Sequence, residues 1–309
     1  MSVRNLDYII AQEDDGKLVK EILKDRLHLS RREISHAKAF EDGILINGEH
    51  VNVIYKVTCG ELLHVTIHEN TEASSEIVPM EGNLDIVYED EDIIVVNKPA
   101  GIIVHPLKNH FKSTLSNIIA WHFQQNGETH VIRPVGRLDR ETSGLIVFGK
   151  NRYSANSLND QSLNGIKVKE YLALCSGIFD ETKGTIDKPI GLAPGTKMVR
   201  SIREDGDPSI THYEVLEQKI QKDTNIGFAL VKLRLETGRT HQIRIHMKSI
   251  GHALLGDGLY GNDLSDWFGM ERVALHSSHM EILHPVTGKR LAFDAKLPED
   301  MTNTLLSGA

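Results

Sequence analysis

The sequence predicts an α+β protein in two parts, a small helix-and-strand unit followed by a larger strand-rich domain. Three observations carry this. Two short helical patterns precede hairpin-like strands near the N-terminus. An acidic stretch without periodicity, ENTEASSEIVPMEG (69–82), then interrupts the chain. Beyond it, short apolar runs bounded by turn residues recur to about residue 295. At 309 residues the chain can bury a sizeable core, and 40% hydrophobic with 25% charged residues is ordinary globular composition.

The first unit is placed at 14–70. Leu18, Ile22, Leu23 and Leu27 lie at helical spacing over 17–27. Ser30 and Glu33 match a capping box, so a second helix is expected to run to about Phe40 and stop at Asp42-Gly43. Strands follow at 44–46, at 51–53 after an Asn47-Gly48 turn, and at 62–67. Residues 71–82 read as a linker, 83–295 as one domain and 296–309 as a tail. In the large domain, strands are expected at 85–88, 93–96, 145–148 and 231–236. After the last of these Thr240 is a plausible N-cap for a helix stopped by Gly251.

Two cysteines, Cys59 and Cys175, form neither a metal knuckle nor a disulfide framework, which suits a reducing compartment. No apolar run approaches the roughly 20 residues needed to cross a bilayer, so the chain is read as cytoplasmic with no membrane partner. The net charge of −8 is distributed unevenly. Residues 17–38 hold seven Lys/Arg against three acids, and 231–252 hold five against one. A local basic face can bind phosphates despite a negative total. A solvated surface helix is the competing explanation.

Chemistry centres on GRLDRETSGL (136–145). Asp139 lies between Arg137 and Arg140, and an ion pair is the ordinary use of such a carboxylate. The same cations would also hold a nucleophile or base ionised. Gly144 is expected to let the chain turn into the apolar strand. On the helix after Thr240, His241, Arg244 and Lys248 share a polar face with only Glu236 nearby, which suits an anionic partner. No metal-ligand spacing, phosphate loop, dinucleotide fingerprint or Gly-x-Ser-x-Gly elbow occurs, so a cofactor-free, metal-free reaction on one carboxylate is expected.

Four ordered blocks, YEDEDIIVVNKPAGIIVHP (88–106), GRLDRETSGLIVFGK (136–150), KEYLALCSG (169–177) and LETGRTHQIRIHMKSIGHALLGDGLYG (235–261), resemble the RluA family of RNA pseudouridine synthases. Residues 16–67 resemble an S4 RNA-binding domain, through SRREI, DGILING and YKVTCGELL. The resemblance implies a large mixed, mainly antiparallel sheet flanked by helices. It places a catalytic aspartate at Asp139, an active-site tyrosine at Tyr171 and an active-site arginine at Arg244. Where the family usually has His before Arg-Leu-Asp, this chain has Gly136.

The implied reaction breaks the N1–C1′ bond of uridine, turns the uracil and joins C5 to C1′, with no cofactor and no nucleotide. Arg244 is expected to pair with Asp139, and Tyr171, opening a buried strand, to stack under the base. RNA contacts are expected from Arg31, Arg32, Lys98, Arg137, Arg239, His241 and Lys248. The partner would be structured RNA, with ribosomal RNA ahead of transfer RNA, bound by a monomer. A non-catalytic RNA-binding or ribosome-assembly protein, and a small-molecule glycosidase or lyase, are the alternatives.

Overall fold

The computed structural model describes residues 2–69, 77–106, 112–196, 198–221, 226–261 and 268–307. The N-terminal unit is a four-stranded sheet in the order β1-β4-β2-β3, built from β1 (Ser2–Ile9), β2 (Ile44–Ile46), β3 (Glu49–His50) and β4 (Leu62–Glu69). Helices α1 (Val19–Asp25) and α2 (Arg31–Ala37) accompany it. The capping box forms as the sequence predicts. The Ser30 hydroxyl accepts from the Glu33 amide, and the Glu33 carboxylate accepts from the Ser30 amide at 2.8 Å.

Three differences have physical causes. Residues 51–53 are not a strand, because carbonyls there are used by a helix start. The free amides of Val19 and Lys20 donate to Tyr55 and Val53, since Leu18 has no polar side chain to cap α1. Helix α2 stops at Ala37, after which tight turns carry the chain to Gly43. Strand β1 adds residues 2–9 to the unit, pairing with β4 along its whole length. Its exposed Val3 and Ile9 blur the alternation around buried Leu6, which hides it from pattern reading.

The large domain is a ten-stranded sheet flanked by helices. Its strands are β5 (Ile86–Glu89), β6 (Ile93–Lys98), β7 (Arg133–Val135), β8 (Ser143–Gly149), β9 (Val168–Ser176) and β10 (Lys183–Asp187), followed by β13 (Ile210–Gln221), β14 (Ile226–Leu235), β15 (Leu275–Leu283) and β16 (Arg290–Asp294). Strands β11 (Ile190–Leu192) and β12 (Arg200–Ile202) form a separate hairpin. The main order is β10-β13-β14-β9-β15-β8-β6-β5, with β16 on β15 and β7 on β8. Every pairing in it is antiparallel except β15 with β8, so the sheet is mixed as expected. Helices α3 (Leu115–Gln125), α4 (Arg152–Leu163), α5 (Gln242–Ser249) and α6 (Glu299–Ser307) complete it. Residues 299–307, read as part of a tail, instead form α6, which buries Met301 and pairs Asp300 with Arg272 at 2.6 Å.

The two units are packed together. Arg4 of β1 holds Asp92 with two hydrogen bonds of 2.8 and 2.7 Å, and Asn156 of α4 donates to Glu33 at 3.0 Å. Tyr153 of α4 is buried within the small unit's core. Among the described residues no helix is long and apolar enough to cross a membrane.

Gly144 serves a different purpose from the turn expected of it. It lies inside β8 with φ +108°, and a Cβ there would stand 2.2 Å from the Ser277 carbonyl of β15. Only glycine lets the parallel pair close at this point. Gly144→Ala is expected to destabilise the fold by about 3 kcal/mol or more, combining backbone strain with a backbone collision. Gly165→Ala, at φ +68° with open space around it, should cost only about 1 kcal/mol. Urea denaturation of both variants measures the difference.

Candidate active site

Asp139 lies on the loop joining β7 to β8, and that loop is fastened from below. The Lys98 ammonium, at the end of β6, donates to the carbonyls of Pro99, Ile102 and Arg140 at 2.9, 2.8 and 3.1 Å. Arg272 donates to the Glu141 carbonyl at 3.2 Å, and the Thr142 amide closes a turn onto the Asp139 carbonyl. The expected phosphate contact at Lys98 is thereby corrected. Its side chain is fully buried and occupied with carbonyls, and burial pushes its ammonium down to about 8. Lys98 holds the loop that carries Asp139.

Around the Asp139 carboxylate stand three side chains, none at hydrogen-bond distance. Arg137 Nη2 is 3.9 Å from Oδ1, while His241 Nε2 and Arg244 Nη1 are 3.7 and 3.8 Å from Oδ2. Contacts of this length do not exclude a group that closes on a substrate, since such bonds tighten only in the complex.

The expected pairing of Arg244 with Asp139 is therefore loose, and the tight partner is Asp257. Arg244 Nε and Nη2 reach the two Asp257 oxygens at 2.7 and 2.6 Å. Asp257 also accepts from the amides of Leu259 and Tyr260 at 3.0 and 2.9 Å. Burial pushes the Asp257 carboxyl up, but these donors outweigh it and hold it below the usual carboxylate range. Tyr260 lies under the guanidinium, with its ring centroid 4.9 Å from Cζ. The Glu236 carboxylate is thus not the only acid near this helix face. The Gly-Asp-Gly-x-Tyr-Gly turn at 256–261 was the available signal for Asp257 and Tyr260.

Helix α5 begins one residue later than expected. His241, not Thr240, is its N-cap, in a left-handed conformation with φ 59°. No side chain among the described residues caps α5; the Gln242 side-chain carbonyl instead ties down the preceding turn, accepting from the Arg239 amide and the Thr237 hydroxyl at 3.0 and 2.9 Å. His241 Nδ1 is 2.9 Å from the Tyr260 hydroxyl, whose oxygen already accepts from the Arg200 amide. Burial pushes His241 below its ordinary value, so the ring is neutral at pH 7. With Tyr260 donating to Nδ1, this network assigns the ring proton to Nε2, facing Asp139.

Tyr171 lies within β9 rather than opening it. Burial, with the Asp139 charge adding to it, raises its phenol well above the ordinary value, so it stays neutral. Together with Leu138, Leu235, Ile243 and Leu275 it gives the cleft an apolar wall. Asp139, Arg137, Tyr171, Arg239, His241 and Arg244 all line this one cleft, whose cavity volume is about 70 Å³. Arg137 and Arg239 are exposed at its rim, while Lys248 is exposed on α5 outside the lining.

Arg31 and Arg32 are exposed on α2 in the N-terminal unit. Arg31 lines a groove with Lys20, Lys24 and Lys38. Lys17 and Arg26, counted in the same basic tract, are instead committed to Asp14 at 2.6 and 2.9 Å.

One carboxylate in a cleft with an apolar wall and cations at its rim is suited to a polyanionic partner. The RNA pseudouridylate synthase model matches residues 92–249, and the chain belongs to that family. It is 39% identical to a Bacillus subtilis protein named uncharacterized RNA pseudouridine synthase YhcT, over 97% of this chain and 96% of that one. Ribosomal large subunit pseudouridine synthase D of Zymomonas mobilis is 37% identical, over 72% of each chain. The solved structure of human RNA pseudouridylate synthase domain containing 1 superposes with a TM-score of 0.58 at 28% identity, covering 70% of this chain and 86% of that one.

The corrected role of Lys98 has its own test. Lys98→Met should leave the Pro99 and Ile102 carbonyls without their donor, the Arg140 carbonyl keeping the Gly101 amide, and lower the unfolding free energy by about 3 kcal/mol. A phosphate-binding lysine would instead change the salt dependence of RNA binding and leave the denaturation midpoint in place.

Proposed function

We propose that this chain isomerises specific uridines in ribosomal RNA, with Asp139 as its catalytic carboxylate. Its membership of the synthase family fixes the reaction class. The choice of ribosomal RNA is supported by relatives named for the large ribosomal subunit, and transfer RNA is the alternative substrate. The single observation that carries the assignment of Asp139 is its poise: three polar partners at 3.7–3.9 Å and none in contact, at the floor of the cleft.

In this reading Asp139 acts as nucleophile or base during cleavage of the N1–C1′ bond. Arg244 presents its remaining edge, Nη1, to the Asp139 carboxylate and keeps it oriented. Neutral Tyr171 supports the uracil face and stands ready to pass a proton during re-attachment through C5. A base inside a helix is out of reach, so the target is flipped out, at a cost of a few kcal/mol. Exposed Arg137 is suited to fill the vacated stack, and Arg239, His241 and Lys248 to meet flanking phosphates. The N-terminal unit acts as an S4-type grip through Arg31 and Arg32, supported by their exposure on α2. The protein works as a monomer in the cytoplasm.

Pseudouridine mapping of ribosomal and transfer RNA from a strain lacking the protein tests this. Added wild-type protein should restore modification at discrete ribosomal RNA positions, and Asp139→Asn should restore none. Equal activity in Asp139→Asn would overturn the role of that residue, and no new pseudouridine with the wild type would favour a non-catalytic RNA-binding protein. Arg31→Ala with Arg32→Ala should weaken binding without moving the modified positions, and flatten the salt dependence by about one unit of slope per lost phosphate contact.

A further inference from the structure

Two lysines outside the catalytic constellation lie just ahead of Tyr171, Lys169 within β9 and Lys167 immediately before it. Within β9, Lys169 and Tyr171 stand at alternate positions and so point to the same face of the strand. The Lys167 ammonium donates to the Val135 carbonyl at 3.3 Å. The Lys169 ammonium stands 3.4 Å from where a Cβ of residue 136 would be, against the loop that leads to Arg137 and Asp139. Both lysines are half-buried, and neither meets a carboxylate among the described residues.

Stacking two ammonium groups against a protein surface with no acid between them is unfavourable unless an anion joins them. Other buried cations of this molecule are satisfied: Lys150 has Glu89 and Glu128, and Arg244 has Asp257. At Lys169, burial holds the ammonium down to about 8. At Lys167, burial, with the charge of Lys169 adding to it, lowers the ammonium well below its ordinary value. Bound phosphate would relieve both effects.

Gly136 keeps this place open. It is exposed with φ +83°, and carries no side chain to cover the Lys169 ammonium. Any longer residue at 136 would project from a point already in contact range of Nζ.

We propose that Lys167 and Lys169, left uncovered by Gly136, form a phosphate-binding subsite for the RNA backbone beside the catalytic cleft. The proposal rests on the RNA substrate argued above. It adds a contact point on the strand that carries Tyr171, away from the exposed arginines of the rim.

The test measures binding without turnover, so that its failure is separate from any failure of the enzymatic reading. In the Asp139→Asn chain, affinity for a fluorescent uridine-containing RNA hairpin is followed against salt concentration. Lys167→Gln with Lys169→Gln should lower affinity at low salt by roughly tenfold and reduce the salt slope by about 0.7 per lost single-strand contact. Lys167→Arg with Lys169→Arg should retain most of the slope. A folded Gln pair with unchanged affinity and slope would overturn the subsite. Where the Gln pair does not fold, lysine-labelled protein without substitutions at 167 and 169 decides. The Cε resonances of both lysines should move on addition of the hairpin, and resonances that stay in place would likewise overturn it.

Discussion

The buried ion pair between Arg244 and Asp257 is the constraint on which the cleft depends. Desolvating two charges costs several kcal/mol per ion, and only excellent geometry with further hydrogen bonds offsets it. Here the pair is bidentate, and two backbone amides from the turn at 257–260 complete the acceptor side. The result is a guanidinium with its Nε–Nη2 edge fixed and Nη1 left facing Asp139. A free arginine at this place would move among rotamers. Held by Asp257 and backed by the Tyr260 ring, it has one orientation, and the electrostatic environment of Asp139 is fixed before RNA arrives.

Asp139 is held from the other side by main-chain contacts. Lys98 and Arg272 both donate to carbonyls of the loop 139–142 and leave the Asp139 side chain untouched. Gly144 lets β8 lie against β15 directly after this loop, so the carboxylate starts from a rigid strand edge. The cations around Asp139 thus divide into those that position its backbone and those that face its oxygens.

Much of this was legible in the sequence where local chemistry decides it. The capping box at Ser30 and Glu33, the apolar core 93–96 of β6 and the apolar strand after Gly144 follow from short-range pattern. Asp139, Tyr171 and Arg244 came from four ordered motifs, and all three line one cleft. What failed needed long-range information. Lys98 reads as a solvent-facing base until its three carbonyl partners are seen. Asp257 lies 13 residues beyond Arg244, and nothing in their spacing announces a bidentate pair. Strand β1 and helix α6 carry too little periodicity to stand out, and are fixed by what they pack against. The glycine at 136 looked like a missing side chain, and the structure gives it a positive φ and a neighbouring ammonium.

The central claim is that Asp257 acts on the reaction only through Arg244. A double-mutant cycle on the single-turnover rate of pseudouridine formation measures it most directly, using Asp257→Asn, Arg244→Lys and the combined variant, each at saturating RNA with the folded fraction verified. The account predicts strong non-additivity, with the combined variant no slower than Arg244→Lys alone. Independent, multiplicative losses from the two substitutions would contradict it.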